Sequence, residues 1–377
     1  MLMELGFEVF VPKHLPEGPN SRTATVTTQY DSSLSIPSAD LEFLNTVNFY
    51  ESPISKKTAD IINRYFGNCI SAYIFPGLHY LLQSYRGRIF MRAFGHAGTI
   101  DYEKATDTVP VSSLSRESYS SWSQRIQRFF SGCTKGFTKS AEINCKNRIM
   151  KEMYVARNRI YLAAAYREII ENELPFLKRR SLYLPLALPP SITKSANSWR
   201  GGDGRVLFVC PNIDQIDYYH RIYTRFTEEL GAFPYCIAGR QDLGGPANAA
   251  KTQDANILGF ISRDTYNSLM ESCLCMFYHS QEERHLHYHP LEAIVAGLPL
   301  IFMSGGLLEK CGGPNQPGMC STYEEARQKI SRLQNADTNF RDSIRQSQIR
   351  ILEPFNSSYC TSVWKNTFAP IAIGARG

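Results

Sequence analysis

The sequence predicts a two-domain α/β protein built on parallel, doubly wound sheets. Three observations carry that prediction. The chain has 377 residues, more than one hydrophobic core usually organises, since single cores stop growing at roughly 250–300 residues. Apolar residues make up 43% and charged residues 20%, the balance of a packed globular protein. In the second half, short uninterrupted apolar runs alternate with helical stretches; such runs lack the polar alternation of a half-solvated strand and so belong to strands covered on both faces.

The chain's opening is irregular. Residues 1–5 read as the tail of a helix, Gly6 as its cap and residues 7–11 as a buried strand stopped by Pro12. Parallel α/β domains open with a strand before that helix, so this start points either to a lost first strand of the N-terminal domain or to a start codon placed late. Residues 13–40 are polar and read as a long loop. Residues 41–50 and 58–66 read as helical or mixed, 78–85 as a helix, and residues 72–75 and 88–94 as strands, the latter running into Gly95-His96-Ala97-Gly98. A Ser- and Thr-rich stretch at 108–140 carries one helix near 122–130. Residues 148–172 read as a long amphipathic helix and residues 181–188 as a strand.

Residues 189–203, rich in Pro, Gly and Ser, read as a linker. The predicted domains are therefore 1–188 and 204–355, with a final segment at 356–377. In the second domain, strands are expected at 205–210, 234–238, 256–260, 274–278 and 300–303. Helices are expected at 218–230, 263–272 and 290–296, with Gly231 and Gly297 as stops.

The formal charge of +6 is dispersed, with only short clusters such as Lys178-Arg179-Arg180, which argues against nucleic acid as a partner and suits a phosphate-bearing ligand or peripheral contact with an anionic membrane. The 10 cysteines fall at irregular spacings, several inside apolar runs, as free thiols do in a reducing compartment. The first residues carry Glu4, Glu8 and Glu17 without a long apolar run, and nowhere do ~18 uninterrupted apolar residues occur; a cytoplasmic protein is expected.

Ligands of doubly wound sheets bind beyond the carboxyl ends of the strands, where loops and helix N-termini present N–H groups to anions. The residues there are Pro211-Asn212, Gly239-Arg240, residues 259–262, residues 279–289 and Ser304-Gly305-Gly306. Four of the 8 histidines, His279, His285, His287 and His289, fall in one of these loops. They suit neutral hydrogen-bonding to phosphate or sugar better than a metal site, which demands fixed geometry and support around its ligands. His289 abuts Pro290 at a helix start. Glu292, just behind Leu291, is placed so that the helix dipole favours it, and its carboxylate can accept both hydrogens of a vicinal diol.

The run 275–301, with His279-Ser280, Glu282-Glu283, Pro290-Leu291-Glu292-Ala293 and Gly297-Leu298-Pro299, resembles the nucleotide-sugar motif of retaining GT-B glycosyltransferases, especially family 4. That resemblance implies two Rossmann-like domains facing each other across a cleft and a segment 356–377 crossing back to the N-terminal one. It also implies a nucleotide-sugar substrate held by Glu292 on the ribose, with Leu291, His289, Asn212, Gly305 and Gly306 around it, and by Arg240 on the phosphates. The acceptor would be a saccharide or lipid-linked saccharide, the outcome retention, the setting glycan or polysaccharide biosynthesis, and no metal or other cofactor would be needed. The family's first acid falls where this chain has Arg284; the candidates are Glu283 and Glu282, one and two places earlier, and the resemblance carries the role to Glu283. His96 corresponds to the family's acceptor-side histidine at the reacting carbon. A non-catalytic nucleotide- or sugar-binding relative and a sugar-nucleotide epimerase are the alternatives; the latter needs acid and base groups for which no obvious carboxylate pair is present.

Overall fold

In the computed structural model, residues 2–12, 34–49, 52–71, 77–92, 149, 151–171, 175–241 and 252–374 are described. They form two compact units, one of Met1–Leu186 with Cys360–Gly377, the other Ala187–Tyr359. Residues 189–203, expected as a linker, fold within the second unit. They carry the short helix α6 (Pro190–Thr193), and the N–H groups of Asn197 and Trp199 donate to the carbonyls of Val295 and Ala296 at 2.8 Å.

The first unit holds a parallel sheet in the order β1 (Asn68–Ser71), β2 (Arg88–Arg92), β3 (Ile160–Ala164), β4 (Ser181–Tyr183). Period-two burial sorts its side chains. Ile89, Met91, Ile160, Leu162 and Ala164 pack beneath α2 (Lys56–Tyr65) and α3 (Leu78–Ser84), whereas Phe90, Tyr161 and Ala163 face Trp364, Phe368 and Ala372 of α13 (Ser357–Ile373). Trp364 is buried, and its indole N–H donates to the carbonyl of Pro185 at 2.8 Å. The Ser55 hydroxyl caps α2 by accepting from the Thr58 N–H at 3.1 Å.

Two expectations for this unit fail. The stretch 148–172 is not one helix: after a helical turn at 151–155 the chain reverses and enters the sheet as β3. Its Ile-Tyr-Leu-Ala-Ala run buries side chains on both faces, which a strand between two neighbours can do and a surface helix cannot. Residues 7–11 pair with no strand among the described residues; Phe7 instead packs edge-on to Phe368 at 5.4 Å and Phe10 against Phe66 at 5.6 Å. Gly6 does end a turn, with φ +80° and the Phe7 N–H donating to the Leu2 carbonyl at 3.1 Å. The expected strand 72–75, the helix near 122–130 and His96 lie outside the described residues.

The second unit holds a six-stranded parallel sheet in the order β10-β9-β8-β5-β6-β7, built from β5 (Val206–Val209), β6 (Tyr235–Ala238), β7 (Ile257–Gly259), β8 (Cys275–Tyr278), β9 (Leu300–Met303) and β10 (Met319–Cys320). The helices are α7 (Asp217–Leu230), α8 (Arg263–Ser272), α9 (Tyr288–Ala296), α10 (Leu307–Gly312), α11 (Tyr323–Gln334) and α12 (Thr338–Ser347). One face of the sheet packs Phe208 flat on Phe226 of α7 at 4.1 Å, with Phe277 and Ile301 alongside. Strand residues on both faces of β5, β8 and β9 are buried, as their continuous apolar runs require. Gly297 closes α9 at φ +83° with Leu298 N–H donating to the Ala293 carbonyl at 3.0 Å; a Cβ there would also stand 3.1 Å from the Arg345 guanidinium. Among the described residues no helix is long and apolar enough to cross a membrane.

Replacing Trp364 by Ala removes the centre of the α13 face and orphans the Pro185 carbonyl, so a loss of about 3–5 kcal/mol is expected in equilibrium urea unfolding; a loss under about 1 kcal/mol, as surface positions show, would contradict this packing.

Candidate functional site

Strand order fixes where a ligand can sit. From β5 the chain moves outward through β6 and β7, then returns to the opposite side of β5 for β8. Consecutive connections thus leave β5 and β8 in opposite directions, and the crevice they open at the carboxyl edge is where ligands of such sheets bind. Asn212 follows β5 and His279 follows β8. Both carry a buried polar atom without a hydrogen-bond partner, Asn212 Oδ1 and His279 Nδ1. Buried polar atoms are nearly always paired in folded proteins, so two orphans beside one switch point mark a place for a ligand's donors or for water.

The rim is fixed by backbone and amide ties. Asn212 adopts φ +55° and donates its N–H to the Arg240 carbonyl at 2.7 Å. Buried Gln241 stitches the two loops: its Oε1 accepts from the Ile213 N–H at 2.9 Å, and its Nε2 donates to the carbonyls of Cys210 and Gly239 at 2.8 and 3.0 Å. On the other side of the crevice, Gln281 Nε2 donates to the Ser304 carbonyl at 2.8 Å and the Leu307 N–H donates to the Glu282 carbonyl at 2.9 Å.

Gly305 and Gly306 have local reasons. The Gly305 N–H donates to Glu309 Oε2 at 2.7 Å. A Cβ on Gly306 would come within 2.9 Å of the Ser280 carbonyl and 3.1 Å of Gln281 Cα, so the approach of the neighbouring loop already demands glycine. Arg240 is half-buried.

The histidines form an aromatic group with Tyr278. His285 meets His287 edge-on at 4.7 Å, His287 lies 5.3 Å from His289, and the Tyr278 ring lies 5.2 Å from His289. The Tyr278 hydroxyl and His287 Nδ1 share a hydrogen bond of 3.3 Å. Burial pushes His279 down to about 4. Burial, with His279 and His285 alongside, holds His289 at about 3. Both imidazoles are therefore neutral at physiological pH and act as hydrogen-bonding groups rather than cations. Among the described residues no cluster of three His, Cys, Asp or Glu side chains could hold a metal ion.

Helix α9 starts two residues earlier than its proline suggests. His287, extended at φ −76° and ψ 156°, precedes it without a side-chain cap, and Pro290 has no N–H, so the first turn presents at most the N–H groups of His287, Tyr288 and His289. Glu292 consequently sits in the second turn rather than the first, and the dipole acts on it less than the sequence implies. Arg263 Nη1 donates to its Oε1 at 2.7 Å, and the Glu292 side chain is only 14% exposed. Leu291 is core, with its side chain buried. Glu283 is on the surface, 65% exposed, and pairs with Lys310 Nζ at 3.0 Å.

The second unit thus brings Asn212, Gly239-Arg240, the histidine loop, the start of α9 and Ser304–Gly306 to one edge of one sheet. Sequence reasoning missed Gln241, Arg263 and the orphan status of His279; only the residue type of His279 gave a signal.

No protein-family model matches the sequence, and no curated protein matches it. Solved structures do. The chain is similar to sucrose-phosphate synthase from Thermosynechococcus elongatus, at TM-score 0.50 and 12% identity, with 82% of this chain and 76% of that one covered. It is similar to Anabaena Alr3699/HepE, solved in complex with UDP-glucose, at TM-score 0.50 and 11% identity over 86% and 87% of the two chains. The fold is GT-B. TarM gives TM-score 0.47 at 9% identity, and the match covers 57% of its length.

Acidification tests the neutral imidazoles. In the unfolded chain His279 and His289 protonate near ~6.5, well above their folded values, so the unfolded state binds more protons across the window between and stability falls as pH drops through it. His279→Asn removes one of the two groups. Its urea midpoint should fall less than that of the unaltered chain between about pH 7 and about pH 4.5, and an equal fall would contradict the assignment.

Proposed function

We propose that the chain is a glycosyltransferase that moves a sugar from a nucleotide-sugar donor, held by the second unit, to a hydroxyl of a saccharide or lipid-linked saccharide acceptor served by the first. The observation that carries this reading is the pair of buried, unpartnered polar atoms, Asn212 Oδ1 and His279 Nδ1, flanking the switch point of a GT-B sheet. The donor's diphosphate would meet the start of α9 and Arg240, and its ribose Glu292. UDP-glucose in the HepE structure is consistent with that ligand class.

In the reaction the bond between the sugar's anomeric carbon and the phosphate oxygen breaks, and a bond from the acceptor oxygen to that carbon forms. The nucleotide leaves with added negative charge, which Arg240 and the N–H groups of α9 would stabilise where it develops. Retention follows if the acceptor attacks from the leaving group's face, with the departing phosphate oxygen taking the acceptor proton; no metal or separate base is required by that scheme. His96 is assigned to the reacting carbon on the resemblance of its loop. Glycan or polysaccharide biosynthesis in the cytoplasm, with peripheral membrane contact where the acceptor is lipid-linked, is the setting this reaction class fits.

One observation favours a second reading, a binding protein without turnover: Arg284 occupies the place of the family's first acid, and Glu283 beside it is tied to Lys310.

A thermal-shift series with UDP, GDP, ADP, CDP and CMP tests nucleotide binding. One of them should raise the melting temperature with the logarithm of its concentration, and Glu292→Ala should weaken that ligand about tenfold or more, as loss of hydrogen bonds to a charged group does. If none shifts the midpoint, the reading fails. With the nucleotide known, release of it from its sugar conjugates in the presence of oligosaccharide acceptors separates transfer from binding alone, and His96→Ala should lower kcat about 100-fold or more while leaving nucleotide affinity unchanged.

A further inference from the structure

Glu292 is gripped by one turn of a neighbouring helix. Arg263 is the first residue of α8, which Ser262 caps by accepting from the Thr265 N–H at 3.1 Å. Its guanidinium reaches Glu292 Oε1 at 2.7 Å. Tyr266, three positions on and therefore on the same helix face, neighbours the same carboxylate; burial, with Glu292 beside it, pushes its hydroxyl far above the ordinary tyrosine range, and its ring lies 5.7 Å from the Arg263 guanidinium carbon. Helix α8 follows β7 as α9 follows β8, so both start at the carboxyl edge of the parallel sheet, and the two helices pack together.

The geometry has consequences for what Glu292 can do. Its side chain is 14% exposed against 46% for Arg263, so the carboxylate is withdrawn from water and the cation faces it from the solvent side. A carboxylate so placed keeps one orientation only while donors hold it. Arg263 occupies one acceptor position and Tyr266 stands beside another, whereas a carboxylate offers about four, which leaves capacity for a ligand. A free glutamate would have to surrender rotamer freedom on binding; one already held by Arg263 does not.

We propose that Arg263, with Tyr266, is a positioning residue that orients the Glu292 carboxylate onto a nucleotide's ribose diol and so makes the second unit select ribonucleotides over their 2′-deoxy counterparts. This rests on the nucleotide-binding reading above and adds to it the two residues that set sugar recognition. It separates Arg263 from a second role open to an arginine at such an edge, attraction of the ligand's phosphates, which would act on ribo- and deoxyribonucleotides alike.

The test uses the full chain and whichever of UDP, GDP, ADP, CDP or CMP gives the largest thermal shift, together with its 2′-deoxy form, by calorimetric titration. The unaltered chain should bind the ribonucleotide about tenfold more tightly than the deoxy form. In Arg263→Ala that ratio should collapse to within about twofold, through weaker ribonucleotide binding with the deoxy affinity unchanged, as a coupled pair behaves in a double-mutant cycle. Arg263→Lys should recover part of the ratio, and Tyr266→Phe should lower it less than Arg263→Ala does. Unfolding midpoints monitor the fold, and if Arg263→Ala does not fold, Tyr266→Phe and Arg263→Lys carry the same comparison. An equal loss for both nucleotides, or an unchanged ratio, overturns the positioning role while leaving nucleotide binding intact. Failure of all five nucleotides to bind removes both.

Discussion

The second unit depends on one topological constraint: β5 lies in the middle of its sheet, and the chain leaves it first towards β6 and β7, then comes back for β8, β9 and β10. Two packed helical layers can cover such a sheet only if the connections diverge on either side of β5. Divergence leaves the ends of β5 and β8 without a connecting segment across them. There Asn212 Oδ1 and His279 Nδ1 lie buried and unpartnered, although the strands beneath are sealed, with Phe208, Phe277 and Ile301 essentially inaccessible.

Charge follows from the same packing. Imidazoles at this depth are held neutral, His279 at about 4 and His289 at about 3, so the histidine loop offers hydrogen bonds without a fixed positive charge. Under the proposed reading, attraction for an anion falls to Arg240 and to the N–H groups at the start of α9, while Arg263 donates to Glu292 Oε1 at 2.7 Å. The edge therefore carries a cation, aligned N–H groups and an anion at separate places, an arrangement suited to a ligand with a negative diphosphate at one end and hydroxyls at the other. Gln241 and the Leu307–Glu282 tie hold the loops in register, so little reorganisation is needed on binding.

Much of the second unit was legible in the sequence because its strands are buried on both faces and read as unbroken apolar runs; residues 300–303 and 263–272 were predicted with the bounds observed. The first unit was less so. Ile160–Ala164 is made of residues that also suit a helix, and its neighbours 148–159 keep helical spacing, so only the sheet environment reveals it as a strand. Residues 7–11 have strand-like composition but pack their half-buried aromatics against Phe66 and Phe368 instead of pairing. At the site, residue types at strand ends pointed to Asn212, Arg240 and the histidines. Local sequence did not place Glu292 in a second turn, because Pro290 reads as the first helical residue whereas the helix already includes Tyr288 and His289. Nor could it find Arg263, which meets Glu292 across 29 positions.

Hydrogen exchange read by mass spectrometry, with and without a saturating nucleoside diphosphate, tests the central claim most directly, since ligand contact slows exchange of the amides it orders. Protection should gather in peptides covering 210–216, 239–241, 279–292 and 304–309, the carboxyl edge on both sides of the switch point. Protection confined to the opposite edge, at 203–206, 273–275 and 297–300, or absent from the second unit, would contradict the account.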